Sequence, residues 1–303
     1  MPLFEAIENH DLEFVRQYLL QGGDPNVPDE NGSSPLHEAV YQGDEEITRL
    51  LIAHGADIHQ TDDYGNTALH VAALQGFQDQ ASLLVSQGAV VDAANESRTW
   101  TPLMLALNEG HTELAKWLLD AGADVNHVDP EEGWTPLLVA CDQGLRDLSL
   151  LLIAKGAHTH ACLTGGDGQG KYAIHLASYY GEAPIVRALV MSGVDINLLP
   201  ANGGLAAIHW ATYNPHLDLL EFLVQNGADV NIQASGIYQM RTPLHFAVAS
   251  RREDLAHCLL NHGADPLLKD ADRRTPFDLA KDGYKQSRDE VFTRLIRKME
   301  EFV

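Results

Sequence analysis

Five histidines recur along the chain in a way that could be read as a metal site or a catalytic array: His37, His70, His175, His209 and His245. Imidazole binds zinc and transfers protons near neutral pH, so repeated histidines are candidates for either chemistry. Each one, however, holds the same place in a recurring pattern, of which Thr-Pro-Leu-His at 242–245 is a clear copy. We therefore interpret them as one structural position seen five times, where a buried imidazole hydrogen-bonds a neighbouring loop.

A glycine-rich segment, residues 165–171, has the spacing of a phosphate-binding loop. Its sequence is Gly-Gly-Asp-Gly-Gln-Gly-Lys, and Tyr172 follows where the magnesium-binding Ser or Thr of such loops should stand. The motif also needs a buried strand before it and a helix whose N-terminus faces the phosphate. We favour an enlarged loop over nucleotide hydrolysis.

A third candidate, His158, His160 and Cys162, alternates along one extended segment and would place three possible zinc ligands on one face. No clear fourth ligand or catalytic base accompanies them, so exposed loop residues are the favoured interpretation. Signatures of serine hydrolases, zinc proteases, paired Cys-x-x-Cys sites and protein kinases are absent from the sequence. We expect no catalytic residues, no cofactor and no metal site.

The histidines belong to a unit that repeats along the whole chain. Its Pro-Leu pair, or an equivalent, begins at residues 2, 35, 68, 102, 136, 173, 207, 243 and 276, with successive spacings of 33, 33, 34, 34, 37, 34, 36 and 33. A second landmark, Gly-Ala-Asp, stands near the end of several units, as at 55–57, 122–124 and 263–265. Nine units at a near-constant period indicate a repeat architecture.

The chemistry of the unit predicts two helices and an extended loop. A Thr can cap the free amides of a first helix, and a Pro fits its first turn. Small residues such as Ala72, Ala106 and Ala140 let neighbouring helices approach, and leucines at helical spacing follow in a second helix. Turn-forming Asp-Val-Asn stretches then lead into an extended loop, here called a finger. Because one such unit cannot bury a core, neighbouring units must stack.

This pattern resembles that of ankyrin repeats, and the resemblance covers essentially the whole chain. It implies an all-α fold, an ankyrin-repeat solenoid of about nine helix-turn-helix repeats with extended finger loops. We expect a single domain over residues 1–303. Within it we expect an N-terminal capping repeat at 1–33, seven internal repeats at 34–274, and a C-terminal capping repeat with its helix at 275–303.

Composition narrows the range of partners and compartments. The chain has 303 residues, with 43 Asp and Glu against 20 Lys and Arg, a formal net charge of -23. This charge repels phosphate backbones, so nucleic-acid binding is not expected. Because the sequence has neither a membrane-spanning apolar stretch nor a basic N-terminal run before an apolar one, we expect a cytoplasmic protein, with the nucleus or a host cytosol left open. Three cysteines, an odd number, argue against a disulfide framework.

Binding residues can be placed by register, because the resemblance implies that partners dock on the finger tips and on the exposed end of each first helix. Aromatic side chains are concentrated at these positions, and Tyr and Trp dominate interface energetics. The acids beside them indicate a basic or mixed-charge protein or peptide. The candidate partner-binding residues are Tyr41, Asp63, Tyr64, Trp100, Asn108, Glu109, Glu131, Glu132, Trp134, Asp142, Tyr179, Tyr180, Tyr213, Tyr238 and Arg241.

These observations predict a non-enzymatic protein-interaction scaffold, monomeric, that acts as an adaptor or as an occluding inhibitor. The alternative is a sensor of a small ligand or nucleotide, for which Trp100, Trp134, Lys171 and Arg241 are the candidates. The resemblance further implies that the Asn of the Asp-Val-Asn or Asp-Ile-Asn turns occupies a position hydroxylated in many eukaryotic arrays. Those residues are Asn126, Asn197 and Asn231.

Overall fold

The computed structural model describes residues 2–166, 169–200 and 203–303, and this part of the chain is all-α. Its eighteen α-helices follow one another as nine pairs, one pair for each repeat of the sequence. Among the described residues, Cys162 and Tyr172 form an isolated antiparallel β-bridge. The expected all-α repeat fold is therefore confirmed. The chain forms two compact units that divide between Leu148 and Ser149.

The first unit contains the first four helix pairs and the start of the fifth. The pairs are α1 Leu3–Glu8 with α2 Leu12–Leu20, α3 Pro35–Tyr41 with α4 Glu45–Ala53, α5 Ala68–Gln75 with α6 Gln78–Ser86, α7 Pro102–Asn108 with α8 Thr112–Asp120, and α9 Pro136–Asp142 with α10 Arg146–Ala154. We call the odd-numbered members inner helices and the even-numbered members outer helices.

The second unit holds the remaining four pairs. They are α11 Ala173–Tyr179 with α12 Ala183–Met191, α13 Ala207–Tyr213 with α14 Leu217–Gln225, α15 Pro243–Ala249 with α16 Glu253–Asn261, and α17 Pro276–Ser287 with α18 Glu290–Glu300. A short 3-10 turn, Gly236–Tyr238, lies in the finger before α15.

The helices begin where the repeat places its capping residues. The Thr135 hydroxyl accepts a hydrogen bond from the Leu138 N–H at 3.3 Å, and Pro136 occupies the first turn, where a missing N–H costs nothing. Outer helices α2, α4 and α18 use Asp carboxylates for the same purpose, as where Asp44 accepts from the Ile47 N–H at 2.9 Å. The cap and turn chemistry of the sequence therefore sets both helix starts.

Small and branched apolar side chains form the core of each unit. On the inner helices Ala72, Ala106 and Ala211 have no exposed surface, which lets adjacent inner helices such as α5 and α7 lie in contact. The outer helices bury leucines that include Leu84 and Leu118. Each buried leucine stabilises the fold by about 2 kcal/mol relative to an exposed one. Stacked helix pairs thus supply the core that a single repeat lacks.

The repeated histidines join each inner helix to the next finger, as the sequence interpretation predicts. In the second repeat, Nδ1 of His37 accepts from the Ser34 N–H at 3.1 Å, and Nε2 lies 2.9 Å from the Asn66 carbonyl oxygen. His209 repeats this geometry with the Ala206 N–H and the carbonyls of Ile232 and Arg241. Because Nδ1 accepts, Nε2 carries the proton and donates.

Burial keeps these imidazoles neutral. Desolvation lowers the pKa of His70, His175 and His209 to about 4, and it lowers the pKa of His37 and His245 as well. A neutral ring whose two nitrogens are both hydrogen-bonded to backbone groups is a scaffold element. In the last repeat Asp278 takes the place of the histidine and accepts from the Thr275 N–H at 3.1 Å.

Candidate functional site

In the first unit, two tyrosines stand at the positions chosen by register. Tyr41 ends helix α3 and Tyr64 lies at the tip of the next finger, and both rings are more than half exposed. Asp63 beside Tyr64 is also exposed. The Tyr64 carbonyl accepts from the Glu96 N–H at 3.0 Å, so backbone bonds between adjacent fingers hold this tip in place.

Trp100 is the exception among the predicted surface aromatics. Only 4% of its side chain is exposed, so the expectation that it projects from a finger tip is wrong. The Trp134 ring of the next finger packs against it at 6.5 Å between centroids, and the Arg98 guanidinium lies over its face at 5.3 Å. These neighbours cover the indole and leave its Nε1 without a hydrogen-bond partner.

Next to Trp100, the finger of the fifth repeat concentrates acidic groups. Glu131 and Glu132 are exposed, and a Glu132 carboxylate oxygen accepts from the Trp134 indole N–H at 2.9 Å. Buried Asp129 accepts from the backbone N–H groups of Glu131 and Glu132, which fixes this turn. The carboxylates of this finger line a pocket of about 150 Å³ that also includes Arg98. Such an arrangement favours a cationic side chain over an anion.

Three further predicted residues lie at the ends of α7 and α9. The Asn108 amide donates to the Glu109 carboxylate at 2.8 Å and accepts from Gln143 at 3.4 Å. Glu109 is exposed, whereas Asp142 is half-buried as the last residue of α9. Polar groups on two successive inner helices are therefore joined into one hydrogen-bonded surface.

In the second unit, aromatic rings form a continuous series that we call the aromatic run. Tyr179 contacts Tyr180 at 4.9 Å and Trp210 at 5.2 Å between ring centroids, in edge-to-face geometry. Trp210 contacts Tyr213, which in turn reaches Phe246. The members in order are Tyr180, Tyr179, Trp210, Tyr213, Phe246 and Tyr238. Tyr179 and Tyr180 are each 44% exposed and Tyr213 is 52% exposed. These three rings therefore reach solvent, while their contacts with Trp210 and Phe246 hold them in place.

Sequence reasoning missed two members of this run, Trp210 and Phe246. Both directly follow the repeated histidine, four residues after the residue that caps the inner helix. On each inner helix, the binding residues were predicted only at the positions seven and eight residues after the cap. Residues three apart lie on the same face of a helix, so the spacing of Trp210 and Tyr213 could have predicted their contact.

A pocket of about 320 Å³ opens beside the aromatic run. Its apolar walls include Leu205, Trp210, Ile237 and Tyr238, and its described polar side chains are Gln169, Lys171 and Ser235. Two of its lining residues, Trp210 and Tyr238, pack against a small core cluster of Leu205, Ala234 and Phe246. Residues of three fingers line it: Gln169 and Lys171 before α11, residues 203–205 before α13, and residues 235–238 before α15. The second and third of these fingers are tied together, since the Ser235 N–H donates to the Gly204 carbonyl at 3.2 Å.

Arg241, the predicted basic contact, faces the next finger. Its Nε lies 3.9 Å from a carboxylate oxygen of Asp270, whose side chain is fully buried. Its terminal nitrogen is 3.5 Å from the Gln239 side-chain oxygen. The Arg241 guanidinium therefore faces a carboxylate of the protein itself. Arg241 does not line the 320 Å³ pocket.

The asparagines of the predicted hydroxylation turns connect successive fingers. The Asn231 amide donates to the Gly263 carbonyl at 3.1 Å, and its oxygen accepts from the Asp265 N–H at 2.8 Å. Asn197 makes the same pair of bonds with Gly227 and Asp229. The Asn126 backbone N–H donates to the Asp124 carboxylate at 2.8 Å within its own turn. The side chains of Asn197 and Asn231 therefore help to hold successive fingers together.

The remaining chemical candidates gain no support from the geometry. Asp167 and Gly168 of the glycine-rich segment lie outside the described residues. Cys162 pairs through its backbone with Tyr172. Among the residues whose placement is described, no group of three or more His, Cys, Asp or Glu is arranged to hold a metal ion. In that same part of the chain, no helix combines the length and the apolar character that crossing a bilayer requires.

Comparison with known proteins agrees with this architecture. A sequence model described as ankyrin repeats in three copies matches residues 3–95, 90–162 and 150–234, and a single ankyrin repeat matches 239–271. A 39-residue stretch is 56% identical to the human 2-5A-dependent ribonuclease, a match that spans 13% of this chain and 5% of that protein. Ankyrin repeats generally mediate protein–protein interaction and are typically non-enzymatic. The chain belongs to the ankyrin-repeat family.

Proposed function

We propose that this protein is a non-enzymatic interaction scaffold that binds a basic or mixed-charge protein or peptide. The observation that carries the proposal is the aromatic run of the second unit, with Tyr179, Tyr180 and Tyr213 partly exposed. Nothing in the core requires three large rings at this surface, and exposed apolar patches of this kind mark interaction sites. Edge-to-face contacts hold the rings in fixed positions, so little side-chain entropy is lost on binding.

The first unit supports the charge of the proposed partner. Glu131, Glu132 and Trp134 combine exposed carboxylates with an aromatic ring, and Asp63 lies beside Tyr64 in a neighbouring finger. With a net charge of -23, the protein attracts basic partners over distances of about 8 to 10 Å at physiological ionic strength. We infer that a basic segment binds these carboxylates, and that binding weakens as salt is added.

A capture experiment tests the aromatic surface. Tagged protein and a Tyr179→Ala, Tyr213→Ala double variant are incubated with lysate of the source cell, and retained proteins are identified by mass spectrometry. Met191→Ala is the matched control, because Met191 is 82% exposed and apolar but lies at the end of an outer helix. Trp100 is unsuitable as a test residue because it is buried.

The proposal expects at least one protein that the wild type and Met191→Ala retain and the double variant loses, while circular dichroism shows all three folded. Two central aromatic anchors contribute about 2 kcal/mol each, so their joint loss should lower affinity by more than about a hundredfold. Identical retained proteins from all three forms would contradict it. A retained partner that remains bound in high salt would contradict the charge assignment alone.

Adaptor and occluding inhibitor are separated by a second binding step. An adaptor holds two proteins at once, whereas an inhibitor covers a functional surface of one. Size-exclusion chromatography of the captured complex, with and without each retained component, distinguishes a ternary from a binary assembly.

A second candidate function is small-ligand binding, and the 320 Å³ pocket with Lys171 and Trp210 is the observation that favours it. The relative with the short match is named for its dependence on 2-5A. Of the residues expected for this role, Trp100 and Trp134 lie in the first unit, while Lys171 alone lines this pocket. Native mass spectrometry of protein purified from its source tests it: an added small mass, lost on denaturation, supports a sensor.

We propose that the protein is a monomer, which light scattering tests, and that it is located in the cytoplasm, which cell fractionation tests.

We propose hydroxylation at Asn126, Asn197 or Asn231. It would add one oxygen to a peptide carrying that residue, which tandem mass spectrometry detects. The single-domain organisation over 1–303 predicts one unfolding transition in calorimetry, and two separated transitions would contradict it.

A further inference from the structure

The pocket beside the aromatic run differs from its surroundings in charge. The chain as a whole carries -23, yet no acidic side chain lines this pocket among the residues that the structure describes. Lys171 is the cationic side chain of that lining. Within the described lining, Lys171 stands beside apolar side chains and no carboxylate accompanies it, which creates a local preference for an anionic group next to an apolar one.

The pocket walls are fixed before anything binds. The Lys171 backbone is held because its carbonyl accepts from the Leu163 N–H at 2.9 Å. On the opposite side, Trp210 and Tyr238 pack on the cluster of Leu205, Ala234 and Phe246. A pre-formed site loses little entropy on binding.

Size restricts the occupant. A volume of about 320 Å³ lies at the lower end of the range for small-molecule sites, which is roughly 300 to 1,000 Å³. It accommodates one large side chain. The exposed rings of Tyr179 and Tyr213 continue outward from Trp210, and Ile237, 86% exposed, stands at the rim. A pocket open to a flanking aromatic surface suits a side chain that belongs to a longer polypeptide.

We propose that this pocket binds a large apolar side chain of a partner protein, and that Lys171 pairs with an Asp or Glu adjacent to that side chain in the partner's sequence. The inference rests on the proposed interaction role and names the chemistry of one anchor. The segment of the partner that enters this pocket is then acidic and apolar.

The test uses two peptides of equal shape, N-acetyl-Glu-Phe-Glu-amide and N-acetyl-Gln-Phe-Gln-amide, with the full chain. The protein has four tryptophans, so an amide-correlation NMR spectrum shows four indole N–H signals, and Trp210→Phe identifies the one that reports on the pocket. The other three, from Trp100, Trp117 and Trp134, are internal controls. The variants are Lys171→Met, Lys171→Arg and, as a matched control, Lys285→Met on α17.

We expect the Trp210 signal to shift saturably, with a Kd on the order of 1 mM for a single anchored side chain. The acidic peptide should bind about 2- to 5-fold more tightly than the neutral one, as for a partly exposed ion pair. Because the net charge of the protein repels the acidic peptide, a preference for it must come from a local cation. Lys171→Met should abolish the preference, while Lys171→Arg and Lys285→Met keep it.

The inference is overturned by the absence of a saturable Trp210 shift with either peptide, by equal affinity for the two peptides, or by equal shifts of all four indoles. A small molecule that occupies the pocket in the purified protein also overturns it. The result of this peptide titration can be distinguished from the result of the capture experiment that tests the proposed function. Peptide binding without any captured protein leaves the pocket chemistry standing and contradicts the scaffold, and the reverse result contradicts the pocket alone.

Discussion

At the residue scale, each repeated histidine is held by backbone groups on both sides. His245 shows the pattern: its Nδ1 accepts from the Thr242 N–H at 3.0 Å and its Nε2 lies 3.1 Å from the Arg274 carbonyl oxygen. Loss of this ring leaves the buried Thr242 N–H without a partner, which costs about 1 to 3 kcal/mol, while the Arg274 carbonyl keeps its bond from the Asp270 N–H. The histidines are therefore stability elements that join one repeat to the next.

We predict that His209→Leu lowers the free energy of unfolding by at least about 2 kcal/mol, because the Ala206 N–H and the Ile232 carbonyl lose their partner and the Arg241 carbonyl keeps only its bond from the Ala234 N–H. Urea titration followed by circular dichroism measures it. His59→Leu is the matched control, since His59 is exposed and should stay within about 0.5 kcal/mol of wild type. Equal effects of the two substitutions would show that the hydrogen bonds of His209 to the backbone contribute nothing to stability.

The position in the repeat predicted the structural role of these histidines correctly and the exposure of Trp100 wrongly. A histidine that recurs at one position makes local bonds that the repeat itself defines. The environment of Trp100 depends on a neighbouring finger, whose Trp134 ring lies 6.5 Å away and covers it. The position in the repeat predicts where the backbone of a residue lies, whereas the burial of its side chain depends on the sequence of the next repeat. For the same reason the aromatic run could be predicted only in part, through Tyr179, Tyr180, Tyr213 and Tyr238.

At the element scale, each inner helix must turn sharply into its outer helix. Gly76 makes this turn after α5 and Gly110 makes it after α7, both with φ of +74°. The two positions differ in what surrounds them. A Cβ on Gly76 would lie 2.5 Å from Nδ1 of His111, whose Nε2 is bonded to the Leu74 carbonyl, while a Cβ on Gly110 meets nothing within 4 Å.

This pair gives a matched prediction. Gly110→Ala should cost about 1 to 2 kcal/mol from the left-handed backbone alone. Gly76→Ala should cost more by at least about 1 kcal/mol, because the His111 ring must move and its bond to Leu74 is lost. Thermal or urea unfolding of the two variants decides it. If Gly110→Ala were as damaging as Gly76→Ala, the close contact with His111 would not matter.

At the scale of the whole molecule, the neutral histidines couple stability to pH. Burial lowers the pKa of His70, His175 and His209 to about 4, against about 6.5 in an unfolded chain. Below about pH 6.5 the unfolded chain therefore binds protons that the folded chain does not. The stabilisation is complete above that pH and is lost as pH falls toward 4.

We predict that the free energy of unfolding is nearly constant from about pH 8 to 7 and falls by about 1 to 2 kcal/mol for each of these three histidines between about pH 7 and 5. Urea titrations at several pH values provide the measurement. The His209→Leu variant should show a shallower fall because it has one fewer such group. Stability that stays level or increases over this interval would refute the neutral, buried state of these rings.

The central claim, that this ankyrin-repeat protein binds a partner through the aromatic run, is tested most directly by site-specific photo-crosslinking. A benzophenone amino acid replaces Tyr179 or Tyr213, and in a matched form Met191, in protein expressed in the source cell. The account predicts one shared crosslinked protein from the two tyrosine positions and none of it from Met191, which lies at the end of α12. The same crosslinked protein from all three positions, or from Met191 alone, would contradict it.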